Sequence, residues 1–163
     1  MSLNDLISKT AIIGENVKIG SGTKVWHFAN LYGCKIGKEC TIGSYVEIQS
    51  GAKLGDRVTI SSHSFICDLV SIEDDVFIGH GVMTINDLNP PSMRKSGSKD
   101  YWKPTNIGEG VIIGSNATIF PVNIGKYAKI GAGAVVTKNV PDYGVVYGNP
   151  AKLIRIENNE NSS

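Results

Sequence analysis

This chain has neither an excess of charge of one sign nor a long apolar run. Its 163 residues carry 16 basic and 15 acidic side chains, a formal net charge of +1. Such a balance offers no field for nucleic acid or an anionic membrane surface, so both partners are disfavoured. No apolar run approaches the roughly 18 residues of a membrane-spanning helix, and residues 1–10 lack the pattern of a secretory signal. We therefore expect a cytoplasmic protein without membrane insertion.

Cysteine is also scarce. The three cysteines, Cys34, Cys40 and Cys67, are odd in number and form no C-x-x-C pair. Neither a disulfide framework nor a structural zinc site is indicated, and we expect no bound metal. Cys34 and Cys40 each lie two residues before an isoleucine of the repeat described next. This position predicts a packing role for both thiols.

A period of six residues is the dominant pattern. A small or β-branched side chain lies four residues after each long aliphatic one. Neither a helix, with its period of 3.6, nor a single strand, with its period of two, fits this spacing. Three short segments of six residues would instead form one turn of a parallel β-helix, with the aliphatic residues stacked inside. The uninterrupted series is Ile36, Ile42, Ile48, Leu54, Ile60, Ile66, Ile72, Ile78 and Thr84.

The same period extends to both sides of this stretch. It begins at Ile13, slips by one residue before Ile36, and returns from Ile107 to Val136. A closing segment follows at 139–156. We therefore predict a single all-β domain over 1–163, with about six coils and one long projecting loop.

That loop, at 85–106, is the first candidate for a functional site. Long ordered loops in compact domains are more often functional than decorative. A flexible surface insertion is the alternative, but the adjacent aromatics Tyr101 and Trp102 disfavour it.

The three histidines follow the repeat. His27 and His80 are predicted to share one outward column, about 14 Å apart, too far to bind one metal within a chain. His63 is predicted one coil below His80 and one position along, so that both line the groove where the loop starts. His80 is either a general base or a surface histidine bonded to a corner carbonyl. Around His27, Trp26 and Phe28 either cover the first coil or form a wall of a ligand site.

Taken together, the repeat, the central loop and the closing sequence VPDYGVVYGNPAKLI resemble the hexapeptide-repeat acyltransferases. The resemblance implies a left-handed coil and a homotrimer with active sites between neighbouring subunits. VWHF at 25–28 and INDLNP at 85–90 are most similar to the 3-N-acetyltransferases of nucleotide-linked 3-amino sugars. That similarity implies acetyl-CoA as cosubstrate and a UDP- or dTDP-linked sugar as acceptor, in the synthesis of surface polysaccharide such as lipopolysaccharide O-antigen.

The resemblance also implies roles for single residues. Asn86 falls on the family's key asparagine and would orient the amine, and Asp87 could accept a proton. Asp87 could equally serve only to make a turn. Relatives commonly carry arginine directly after the proline of the loop motif, where this chain has Pro91. The further acceptor-binding candidates are Arg94 and Lys95 at the diphosphate, Tyr101 and Trp102 against the base, and His27 and His63.

Coenzyme A is expected along the C-terminal coils. There Ala117, Ala132 and Ala134 would lie on the outer face and leave the backbone open to a ligand. Lys138, which follows the last regular repeat, would meet the phosphates.

Three other functions compete with N-acetylation. The first is a sugar O-acetyltransferase of the same superfamily that uses a histidine base. The second is a metalloprotein similar to the γ-class carbonic anhydrases, although no closely spaced histidines follow His80. The third is a non-catalytic assembly platform, which would leave the loop residues without a role.

Overall fold

A computed structural model describes residues 6–90 and 100–157 of the chain. Among these residues, no helix has the length and apolar character needed to cross a membrane. They contain 21 short strands, which wind into the left-handed parallel β-helix that the resemblance implies. The strands are β1 (Ile12–Ile13), β2 (Lys18–Ile19), β3 (Lys24–Val25), β4 (Asn30–Leu31), β5 (Lys35–Ile36), β6 (Thr41–Ile42), β7 (Glu47–Ile48), β8 (Lys53–Leu54), β9 (Thr59–Ile60), β10 (Phe65–Ile66), β11 (Val70–Ile72), β12 (Phe77–Ile78), β13 (Met83–Thr84), β14 (Thr105–Ile107), β15 (Ile112–Ile113), β16 (Thr118–Ile119), β17 (Asn123–Ile124), β18 (Lys129–Ile130), β19 (Val135–Val136), β20 (Gly144–Tyr147) and β21 (Lys152–Ile156).

Successive strands belong to three different sheets, which are the three faces of the coil. The first face is β1-β4-β7-β10-β13-β16-β19, the second is β2 to β17, and the third is β3 to β20 with β21 at its edge. Neighbouring strands run parallel and in register, for example Ile42 beside Ile60 beside Ile78. The seven strands of the first face give about seven coils, so the expected number of six was too low.

The turns between the faces form three corners that run the length of the coil. We call the turn from the third face to the first the histidine corner (26–29, 43–46, 61–64, 79–82, 114–117 and 131–134). The turn from the first face to the second is the loop corner, whose described residues are 32–34, 49–52, 67–69, 85–90, 100–104, 120–122 and 137–139. The remaining corner carries most of the ion pairs, including those of Arg57 with Asp74 and Asp75. A period of six arises because two strand residues alternate with a turn of about four.

The core is the predicted stack of aliphatic side chains. Ile42, Ile60 and Ile78 are fully buried, and every other long aliphatic of the regular series is at most 6 % exposed. Thr84 occupies an aliphatic position and is 3 % exposed. Its hydroxyl donates to the carbonyl of Phe65 at 3.1 Å and accepts from the amide of Cys67 at 2.8 Å. The polar group is therefore satisfied inside the stack.

The cysteines have the predicted packing role. Cys34, Cys40 and Cys67 are all free and buried. Burial raises the pKa of the Cys34 thiol to about 11 and also raises the pKa of the other two. A protonated, buried thiol is a poor nucleophile, so none of the three suits catalysis.

The two ends of the coil differ in the segments that lie against them. At the start, Ile7 forms a bridge to Val25, whereas Ile12 of the first coil is 63 % exposed. Trp26 and Phe28 are half exposed at the histidine corner. At the other end, β20 and β21 pair antiparallel and continue the third face.

Two adjacent isoleucines test the architecture. Ile113 is fully buried, whereas Ile112 is 45 % exposed on the third face. Ile113→Thr should lower the free energy of unfolding by about 2–4 kcal/mol, because it leaves a cavity and buries a hydroxyl. Ile112→Thr should change it by less than about 1 kcal/mol. Denaturant unfolding at equal protein concentrations measures both, and equal losses would contradict the assignment of inward and outward positions.

Candidate functional site

The long loop leaves the coil after β13 and is fastened at its base. The carbonyl of Asn86 accepts a hydrogen bond from the amide of Lys103 at 2.9 Å, which joins the two arms of the loop. The side-chain Nδ2 of Asn86 donates to the carbonyl of Asp68, one coil below, at 3.2 Å. Asn86 therefore holds the start of the loop against the rigid coil, while its Oδ1 remains available as an acceptor.

A cleft of about 590 Å³ lies between this loop and the first face, and we call it the loop cleft. Three aromatic rings border it, from Phe65 on the coil, Trp102 in the loop and Phe120 on the coil above. Polar groups of Asn86 and Asp87 border the same space. Apolar walls with a few polar groups are typical of small-molecule sites.

The other loop residues divide into three cases. The Oδ1 of Asp87 accepts the amide of Asn89 at 3.0 Å, which supports the turn-making role, although the carboxylate also borders the loop cleft. Tyr101 is 52 % exposed and does not line the cleft. Arg94 and Lys95 lie outside the described residues.

The three histidines lie on the histidine corner and have different surroundings. His27 Nδ1 lies 2.8 Å from the hydroxyl of Ser8 and 2.9 Å from that of Thr10, so this ring holds the N-terminal segment in place. His63 stacks on the ring of Tyr45 with 4.9 Å between centroids. His80 is exposed, and its ring makes no hydrogen bond to residues 6–90 or 100–157. A free, exposed imidazole can act as a base.

Within one chain, His80 and the loop cleft are far apart. The sheet registers place His80 at one end of the first face and Asn86 at the other end of the same coil. Strand β13 lies between these two side chains, and neither His63 nor His80 lines the loop cleft. The expectation that His63 and His80 line the groove where the loop starts is therefore wrong for a single chain.

The shared column of His27 and His80 is confirmed, three coils apart. In the part of the chain that the structure describes, no group of three His, Cys, Asp or Glu side chains is close enough to hold a metal ion.

The residues expected to bind coenzyme A fall into a buried group and an exposed group. Ala117 and Ala134 are fully buried, so the expectation that they lie on the outer face is wrong. They occupy the small inward position two residues before an aliphatic one. Ala132 is exposed on the histidine corner, and Lys138 is exposed on the loop corner. The first face lies between these two side chains.

Residues of the loop cleft outside the loop were missed by sequence reasoning. Gln49, Cys67 and Phe120 each follow an inward aliphatic of the first face directly, as Ile85 does. In a coil with parallel in-register strands, such positions stack in one column. Counting coils from Ile85 would have found them.

Two protein families match segments of the chain. "Bacterial transferase hexapeptide (six repeats)" matches residues 33–68, and "Hexapeptide repeat of succinyl-transferase" matches residues 104–138. Both lie on regular coils on either side of the loop. These two segments carry hexapeptide repeats of the kind that the two families describe.

Known hexapeptide-repeat proteins are similar over most of this chain. The bifunctional protein GlmU of Acidithiobacillus ferrooxidans is 36 % identical over 133 residues, which cover 80 % of this chain and 27 % of GlmU. The chain thus spans about a quarter of the length of that curated relative. The solved structure of WeeI from Acinetobacter baumannii is 29 % identical with a TM-score of 0.60, covering 90 % of this chain and 56 % of that one.

A variant of AntD shares the fold. AntD is an N-acyltransferase from Bacillus cereus, and the variant was solved with dTDP and coenzyme A. It is 22 % identical to this hexapeptide-repeat chain, with a TM-score of 0.58, and the match covers 94 % of this chain and 81 % of that one.

The fastening of the loop can be tested directly. Asn86→Ala removes the bond to the carbonyl of Asp68, so the base of the loop should open more often. Hydrogen exchange of the Lys103 amide should then be faster by roughly tenfold, as expected for the loss of about 1.4 kcal/mol. Asn30→Ala, on the first face away from the loop, is the control. An unchanged Lys103 amide would show that the side chain of Asn86 does not hold the loop.

Proposed function

We propose that this protein is an acetyl-CoA-dependent N-acetyltransferase that acts on the amino group of a nucleotide-linked amino sugar. The observation that supports this most directly is the loop cleft on a hexapeptide coil. It combines three aromatic rings with an anchored asparagine whose Oδ1 is free to accept. Rings suit a flat base or a sugar, and an oriented amide oxygen suits an amine.

The proposed reaction needs few protein groups. The neutral amine attacks the thioester carbonyl carbon, the carbon–sulfur bond breaks, and coenzyme A leaves as a thiolate that takes up the proton released from nitrogen. Catalysis then consists mainly of holding the amine within attack distance. Asn86 Oδ1 would accept one N–H of the amine and direct its lone pair. Asp87 would receive this proton, directly or through water, and pass it to the departing thiolate.

The proposal includes a homotrimer with composite sites. His80 and Ala132 lie on the histidine corner, whereas Asn86 and Lys138 lie on the loop corner. One chain cannot bring the two corners together, but a heterologous contact between copies can place one beside the other. Coenzyme A would lie between them, with its phosphates at Lys138.

The finer substrate assignment is also a proposal. We propose a UDP- or dTDP-linked 3-amino sugar, used in surface-polysaccharide synthesis in the cytoplasm. It rests on the loop sequence INDLNP and on the capacity of this fold, seen in AntD, to hold dTDP and coenzyme A together.

A sugar O-acetyltransferase is the second candidate. The observation that favours it is the exposed ring of His80, which makes no hydrogen bond to the described residues. A hydroxyl is a weaker nucleophile than an amine and needs a base to remove its proton, which the imidazole of His80 could do.

Mixed trimers test the composite site. Ala132→Trp chains, whose histidine corner no longer admits coenzyme A, and Asn86→Ala chains, each of low activity alone, should recover about one quarter of wild-type activity when unfolded together and reassembled. About one interface in four would then combine an intact histidine corner with an intact loop corner. Light scattering must first show trimers for each preparation. Mixtures no more active than the separate variants would contradict sites shared between subunits.

Kinetics of single variants distinguish the two acceptor chemistries. For N-acetylation, Asn86→Ala should lower kcat by about 10²-fold or more, because positioning is lost. Trp102→Ala should instead raise KM for the nucleotide sugar with little change in kcat. Lys53→Ala, on the second face, is the control. Loss of activity in His80→Ala together with a tolerated Asn86→Ala would favour O-acetylation.

A further inference from the structure

One column of the histidine corner contains a stack of rings. The residues of this column all have positive φ, between 59° and 68°, and occupy equivalent places in successive coils. The ring of Phe28 lies 5.1 Å from that of Tyr45, and Tyr45 lies 4.9 Å from His63 with only 7° between the planes. From the first coil upward the column is Phe28, Tyr45, His63, Gly81, Asn116 and Gly133.

The stack ends at Gly81, although the backbone continues without a break. The amide of Gly81 donates to the carbonyl of Ser62 at 3.0 Å, and the amide of Asn116 donates to that of His80 at 2.8 Å. The spacing between coils is thus kept on both sides of Gly81. Its φ of 66° does not by itself require glycine, because His63 adopts 64° and Asn116 adopts 59° in the same column. What glycine provides here is space.

Above His63 the stack lacks one ring, and the Oδ1 of Asn116 takes up part of that level. Each ring below it occupies one coil, with the 4.9 Å between Tyr45 and His63 as the measure. The upper face of the His63 imidazole is therefore directed at a position that lacks a side chain. From the coil above, the carboxamide of Asn116 reaches downward, since a Cβ on Gly81 would lie 2.5 Å from its Oδ1.

The groups around this space suit a hydrogen-bonding aromatic ring. The Asn116 carboxamide makes no hydrogen bond to the described residues, and it offers both donors and an acceptor. His80, the exposed neighbour of Gly81, lies at the side of the space. A ring stacked on His63 would continue the column and place its polar edge at the amide of Asn116.

We propose that the gap at Gly81 is a binding slot for a nucleobase, with His63 as its floor and Asn116 as its polar upper edge. The proposed function supplies two sources of such a ring, namely the adenine of acetyl-CoA and the base of the nucleotide sugar, and the identity of the ligand rests on that function. The slot lies on the histidine corner, apart from Tyr101 and Trp102, so it is a second place for a base on this chain. A base in the slot would stack on His63 of the coil and would not depend on the residues of the loop.

Proton NMR of the histidine rings tests the slot without an activity assay. The chain has three histidines, so few ring-proton signals have to be assigned. A stacked base should move the ring-proton signals of His63 upfield and leave those of His27, held by Ser8 and Thr10, unmoved. Coenzyme A, UDP and dTDP are the separate probes, and 4′-phosphopantetheine, which has no base, is the blank. A shift with coenzyme A alone identifies adenine, and a shift with UDP or dTDP identifies the acceptor.

Two variants accompany the titrations. Gly81→Asn fills the slot with a side chain that tolerates positive φ, and it should weaken binding of the shifting probe by about tenfold or more. Gly22→Asn makes the same change at φ 76° on another corner and should leave binding unchanged. His63→Ala removes the floor and should weaken binding even if Gly81→Asn does not fold.

The proposal is overturned if saturating probes leave His63 unmoved, or if His63→Ala and a folded Gly81→Asn bind as the wild type does. Acetyl transfer that proceeds normally in that case would show that the slot alone is wrong. A His63 shift without acetyl transfer to any amino-sugar nucleotide would support the slot and contradict the proposed function.

Discussion

Stacking of one coil on the next in strict register is the constraint on which this structure depends. Each strand has only two or three residues in most coils, too few to be stable alone, and each is held by hydrogen bonds to the strands above and below. Because the registers are parallel and regular, a residue's place in its coil decides both its column and its direction. The buried aliphatic stack, the positive-φ corners and the ring column of the histidine corner all follow from that rule.

The same constraint keeps the chemistry-bearing groups apart. A face of the coil cannot bend to bring its two corners together, so His80 and Asn86 stay at opposite ends of the first face. The residues at the base of the long loop are not part of a face, so they are less strictly confined to one column. Asn86 and Lys103 fix this base. For a rigid prism of this kind, a site that uses both corners has to be built from two copies.

Polar groups inside the coil show how strict the stacking is. Ser64 and Thr84 are buried at positions that apolar side chains take in the other coils, and each hydroxyl joins the backbone of adjacent coils. Their short side chains preserve the coil spacing while their hydroxyls are satisfied. Gly81 shows the opposite case on the surface, where removing a side chain leaves the spacing intact and opens a gap.

The sequence by itself determined the fold, the packing of the cysteines and the shared column of His27 and His80. This was possible because a period of six is a local signal, repeated often enough to fix the register. The sequence did not determine which small residues point into the core and which point outward. Ala117 and Ala134 read as outward positions until the register placed them in the core, while Ala132, between them, is exposed. The column of Gln49, Cys67 and Phe120 follows from counting coils. Only the tertiary structure decided that these members of the column border the loop cleft, because the position of the loop against the coil is not part of the repeat. Only the tertiary structure showed that Asn86 and His80 lie at opposite ends of the first face. A separation of six residues in the sequence does not tell whether two side chains share a corner of the coil.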